Sequence, residues 1–100
     1  MHLIDWEQRL EVEWTPDEGF VGLLRFGTFD EARFERLMKL LREMTFDDQL
    51  VIPRRISALL WLMPNVIDWQ SEHQANLGNN RIPTVVAEVR AEIERIIGIP

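Results

Sequence analysis

Residues 28–44 read TFDEARFERLMKLLREM, and the fold class turns on them. Phe34, Leu37, Met38, Leu41 and Met44 recur at three- and four-residue spacing, which puts them on one stripe of an α-helix. Arg33, Arg36, Lys39 and Arg42 flank that stripe, and Glu35 and Lys39 make a favourable pair one turn apart. Thr28 and Asp30 offer side-chain oxygens to the unpaired amides of a first turn. The spacing predicts a helix over 30–44 whose apolar side must be buried against other elements.

Downstream, Thr45-Phe46-Asp47-Asp48 is a second acidic start, leading through Pro53 to ISALLWLM at 56–63. That segment is apolar nearly all round, so it predicts the most enclosed helix, with Trp61 in the core. Pro64 ends or kinks it, and Asn65 can cap a further helix running to about Asn76. Gly78-Asn79-Asn80 is a polar loop. The last helix begins near Pro83 and carries Val85, Val86, Val89, Ile93, Ile96 and Ile97 on one face before Gly98 stops it.

The chain upstream of residue 28 is harder to read. From Ile4 to Trp14 apolar and polar residues nearly alternate, the period of a half-buried strand. Glu, Gln, Arg and Leu there would also tolerate a helix. The segment 4–14 reads as extended, with a helix as the alternative. In Thr15-Pro16-Asp17-Glu18, Thr can cap, Pro suits the first helical position and Glu18 completes a capping box. That predicts a short helix through Phe20, Val21, Leu23 and Leu24 ending at Gly27, the competing reading being a hairpin turned at TPDEG. Gly19 and Gly22 weaken the helix by about 1 kcal/mol each relative to Ala.

The resulting expectation is a mainly α, compact single domain over residues 1–100, a bundle of about four to five helices with short connections. A 46% hydrophobic content suffices for a core. No apolar run approaches the ~20 residues of a membrane helix, and MHLIDWEQRL does not read as a signal peptide. Cysteine is absent, which removes disulfides, thiolate nucleophiles and Cys-based zinc sites. These features fit a cytoplasmic protein. The net charge of −6 argues against direct nucleic-acid binding and favours a basic protein partner.

Residues 1–18 hold Asp5, Glu7, Glu11, Glu13, Asp17 and Glu18 against Arg9 alone, with Trp6 and Trp14 interleaved. Tryptophan among acids has the composition of a binding hot spot, although the same indoles can simply anchor an amphipathic segment. Asp68-Trp69-Gln70-Ser71-Glu72-His73 places acids, a hydroxyl and a histidine together. On one helix, however, His73 would turn to the apolar side near Trp69, and Asp68 and Glu72 to the other. A structural, half-buried His73 and a solvated acidic face are expected, with no catalytic, cofactor or metal site. Arg54 and Arg55 oppose the dipole of the helix they begin, an offset Asp47 and Asp48 could supply.

FVGLLRFGTFDEARFERLMKLLREM (20–44) and the tail RIIGIP (95–100) resemble small immunity proteins of bacterial contact-dependent growth inhibition and other polymorphic toxin systems. The shared pattern is a short aromatic helix, a glycine break, then FDE opening an amphipathic helix. The resemblance implies a non-enzymatic cytosolic protein that binds one cognate toxin domain, many such toxins being nucleases with basic substrate surfaces. It transfers no individual binding residue. The acids and aromatics themselves nominate Asp5, Trp6, Glu7, Glu11, Glu13, Trp14 and Asp17, with Asp68, Trp69 and Glu72, as the partner-binding set. The alternatives are an adaptor or self-associating module, and a small enzyme using Asp68, Glu72 and His73.

Overall fold

The computed structural model describes residues 3–46 and 52–98, with side chains from residue 5 onward. Seven helical segments follow one another: α1 (Leu3–Glu13), α2 (Phe20–Leu24), α3 (Glu31–Glu43), α4 (Arg54–Trp61), α5 (Met63–Asp68), α6 (Ser71–Asn76) and α7 (Ile82–Ile97). Among the described residues there is no strand.

Helix α3 forms where its periodicity places it. The Asp30 side chain accepts from the Arg33 amide at 3.0 Å, and Phe34, Leu37, Met38, Leu41 and Met44 are all buried. Helix α7 buries Val85, Val86, Val89, Ile93 and Ile96, leaves Ile97 half-buried, and stops at Gly98 with φ 93°. Arginines clasp these two rods at both ends. Arg81, at the start of α7, pairs with Glu31 at the start of α3 and lies over the rings of Phe29 and Phe34 at 5.0 and 5.8 Å. Arg95, near the end of α7, donates to the Leu41 and Met44 carbonyls at 2.7 and 3.0 Å. The clasps pair start with start and end with end, so α3 and α7 run parallel. Arg95 also sets positive charge against the negative end of the α3 dipole.

The segment expected to be extended is helical. In α1, Trp6, Leu10 and Glu13 are buried and Trp14 is half-buried, a stripe at helical spacing. Its third position is a carboxylate, which hid the period and left the alternation of even positions more visible. The indole of Trp6 packs edge-on against Phe46 at 5.1 Å, and α1 lies on α4 and α2.

The capping box at 15–18 does not form. Thr15 Oγ1 instead donates back to the Val12 carbonyl at 2.7 Å, finishing α1, and α2 starts at Phe20 behind Gly19. The expected continuous helix from 65 to 76 is also interrupted. Helix α5 ends at Asp68 and α6 starts at Ser71, with Trp69 and Gln70 forming a turn.

Every segment except α6 contributes apolar side chains to one buried cluster, and α7 touches α3, α4, α5 and α6. The radius of gyration is 13.5 Å, close to the ~13 Å of a folded 100-residue domain.

The α1–α2 corner depends on two glycines. A Cβ on Gly19 would lie 2.2 Å from the Glu13 carbonyl oxygen, and one on Gly22 would lie 2.1 Å from the Thr15 carbonyl carbon. Backbone meets backbone there, so a methyl group can be admitted only by parting the helices. Gly19→Ala and Gly22→Ala are each expected to cost about 1–3 kcal/mol, read as a lower urea midpoint. Alanine at exposed Lys39 should stay within about 0.5 kcal/mol. Unchanged midpoints for both glycine variants would contradict this close approach.

Candidate functional site

The acidic residues nearest the N-terminus divide into those the fold consumes and those it presents. Glu13 is consumed. Its side chain is buried, Oε1 accepts from the Phe20 amide at 3.1 Å, and Oε2 lies 3.8 Å from Arg36 Nε. The carboxylate thereby satisfies the first of the four amides that a helix start leaves without an intrahelical partner, one that an N-cap side chain, which reaches the second or third, does not serve. Burial is the dominant influence on it and raises its pKa above the usual carboxylate value, while the Phe20 N–H, Arg36 and Arg33 pull the other way.

The turn between α1 and α2 is held from behind by α3. Arg33 donates to the carbonyls of Pro16, Gly19 and Asp17 at 2.9, 3.1 and 2.9 Å, and Arg36 donates to that of Glu18. With its carbonyls turned toward those guanidiniums, the turn leaves Asp17 and Glu18 exposed. A hollow of about 200 Å³ beside it is lined by Arg9, Val12, Glu13, Glu18, Arg36 and Leu40.

The remaining nominated residues scatter. Asp5 is exposed and borders a shallow surface with Gln8, Arg9 and Val12. Trp6 is a core residue and unavailable to a partner. Glu7 is half-exposed, and Glu11 meets Arg55 at 3.3 Å, an ion pair of two exposed groups. Trp14 is half-buried and donates from Nε1 to the Leu59 carbonyl at 3.1 Å. Asp68, Trp69 and Glu72 are exposed, but the break at Trp69–Gln70 prevents Asp68 and Glu72 from sharing one helix face. Ser71 Oγ donates to Asp68 at 3.4 Å. Glu13 and Trp6 therefore leave the docking set, and Asp68, Trp69 and Glu72 stand on different elements from the α1 acids.

His73 is exposed rather than half-buried, although its imidazole abuts Gly27, where a Cβ would lie 2.7 Å from Nε2. The buried polar group of that region is Gln74, which the sequence reading passed over. Its Nε2 donates to the Gly27 carbonyl at 2.8 Å, and its Oε1 accepts from Asn79 Nδ2 at 3.1 Å. The polar loop at 78–80 was the available signal, since its asparagine needs an acceptor. Arg55 takes its offset from Glu11 on α1, and Asp47 and Asp48 lie outside the described residues, as does His2. Among the described residues, no group of three or more potential ligands could hold a metal ion.

Trp61 departs furthest from expectation. It is 75% exposed, with Leu62 at 43%. At about 100° per residue, Ile56, Leu59, Leu60 and Met63 converge on one side of the α4–α5 run, and Trp61 falls opposite. A segment apolar all round concealed that phase. Trp61 stands between two hollows of about 290 Å³, one lined by Pro64, Asn65, Arg90, Ile93 and Glu94, the other by Arg54, Ser57, Ala58 and Ile97. A third, also about 290 Å³, lies along Trp14, Arg55, Ala58, Leu59 and Leu62. Trp61 lines the first two hollows and Ala58 the last two, so the three adjoin, and their linings mix apolar side chains with Arg54, Arg55, Arg90 and Glu94.

Compared with protein-family models, curated proteins and solved structures, the chain matches none.

Glu13 generates a pH signature. A carboxyl whose pKa is raised on folding binds its proton more tightly in the folded chain. Its contribution is then fullest below the unfolded value of 4.5 and declines as pH rises through the higher folded value. Glu13→Gln keeps an acceptor oxygen and removes the ionisation, so it should gain stability relative to wild type between pH 4.5 and the raised folded value. Glu13→Ala strips the acceptor from a buried amide and should cost about 1–3 kcal/mol. Urea titrations across that window check both. Parallel curves for wild type and Glu13→Gln would show that the carboxyl is unperturbed.

Proposed function

We propose that this chain is an inhibitory binding protein of the immunity type, which covers the substrate surface of a toxin domain rich in basic residues. The observation that carries the reading is the acidic turn at 15–18, supported from behind by Arg33 and Arg36 so that Asp17 and Glu18 stand outward. A turn already ordered loses little conformational freedom on docking. Asp5, Glu7 and Glu11 on α1 carry the same sign of charge on other parts of the surface, Glu11 in an ion pair with Arg55, and the net charge of −6 acts at longer range.

Such a surface steers a basic partner, accelerates encounter and disfavours acidic competitors. Inhibition would work by occlusion: carboxylates occupy the positions that the toxin's anionic substrate would otherwise take. No bond is made or broken, and the chain would act in the cytoplasm, where an arriving toxin meets its target. The resemblance of residues 20–44 to immunity proteins supports the same reading.

The test is affinity capture from the source cell with washes at low and high salt, followed by co-expression of whatever is retained. One basic protein held near-stoichiometrically, toxic alone and harmless beside this chain, is the expected result. Several partners all released by salt, with no toxicity relieved, would overturn the reading. Asp17→Lys with Glu18→Lys should weaken the captured complex by on the order of 10–100-fold, mainly through slower association. Its folding stability should move by less than about 0.5 kcal/mol.

A further inference from the structure

We infer that the Trp61 face is the contact of a two-fold symmetric dimer, its occupant being a second copy of this chain. The inference stands independently of the toxin reading, which uses the turn at 15–18. Trp61, at 75% exposure, is a bulky apolar ridge bordered on each side by a hollow of about 290 Å³. One surface therefore carries both a knob and the recess for a knob. In a two-fold contact the same patch serves both partners, so each Trp61 can enter the other copy's hollow between Pro64 and Ile93. Ala58, Leu62 and Ile97 continue the apolar floor around it.

The charges on the rim identify the occupant. Arg90 and Glu94 both line the hollow beside Trp61, one turn apart on α7, and neither forms an ion pair among the described residues. When two copies of a helix cross antiparallel about a two-fold axis, a residue at the first position meets the residue at the second, and the reverse. Arg90 of each copy then faces Glu94 of the other, and this pair is complementary to itself. A basic partner would oppose Arg90 and Arg54 on this face, and an acidic one would oppose Glu94. The second copy answers Arg90 and Glu94 at once. The net charge of −6 per chain works against association at long range, and salt screens this repulsion and the Arg90–Glu94 pairs alike.

Sedimentation equilibrium of the full chain, from about 1 μM to about 1 mM, tests this. The expected result is a mass rising from 11.8 kDa toward twice that value as concentration increases. Trp61→Ser should weaken association by about tenfold or more, as loss of a buried aromatic anchor does. Arg90→Glu should also weaken it, and Arg90→Glu combined with Glu94→Arg should restore it, because the exchanged pair is again self-complementary. Circular dichroism confirms that each variant is folded, which the exposure of all three side chains favours. A wild-type chain that stays at 11.8 kDa throughout would overturn the proposal, as would a dimer indifferent to Trp61→Ser. So would a charge exchange that fails to restore association. A monomeric wild type whose complex with a toxin domain is weakened by Trp61→Ser would assign the face to that partner instead.

Discussion

The buried carboxylate of Glu13 is the constraint around which the N-terminal half is organised. A charge in the core is costly unless hydrogen-bonded, and this one is held by the first amide of α2 and approached by Arg36. The arrangement works only because Gly19 and Gly22 let α2 press its backbone onto the end of α1. Once the corner is closed, Phe20, Val21 and Leu24 face the core, and Phe20 joins Phe29 and Phe34 in a cluster with ring centroids 5.3–6.0 Å apart. A helix of one turn has little stability of its own, so α2 exists because the carboxylate and the packing hold it.

Arginine supplies the long-range ties. Arg33 and Arg36 on α3 spend their donors on carbonyls of the 15–19 turn, while Arg95 on α7 caps the end of α3. These planar donor arrays satisfy several acceptors from one side chain, which a lysine cannot do in the same geometry. The consequence for the surface is direct. Arg33 and Arg36 face the backbone of the turn and pair with Asp30 and Glu13, so among the described residues neither forms an ion pair with Asp17 or Glu18, whose carboxylates stay exposed.

The two outward surfaces differ in kind. The turn offers the Asp17 and Glu18 carboxylates on an ordered support, suited to fast and selective encounter. The Trp61 face offers apolar area with a rim of both signs, suited to slow dissociation. Using one for a heterologous partner and the other for a second copy would let both contacts exist together.

Helices α3 and α7 were legible because their apolar residues repeat at one period over three or more turns and their ends carry ordinary signals, Asp30 and Gly98. The same is true of the mainly α, single-core architecture. Of the nominated docking residues, Asp5, Glu7, Glu11 and Asp17 reach solvent as expected, since short acidic side chains with no apolar stem rarely gain by burial. Trp6 and Glu13, nominated with them, are buried, and Trp61, expected in the core, is exposed. Trp6 turned inward on Phe46, Glu13 was drawn in by an amide seven residues on, and Trp61 was left outside when Ile56, Leu59, Leu60 and Met63 took the core. Local periodicity by itself determined α3 and α7, because hydrogen bonds within a helix span only four residues and their apolar stripes are unbroken, whereas the stripe of α1 is completed by a buried acid and was not legible. Which face of an apolar helix is covered, and which acid is buried, only the tertiary structure decided, because those choices depend on partners that sequence spacing does not bring together.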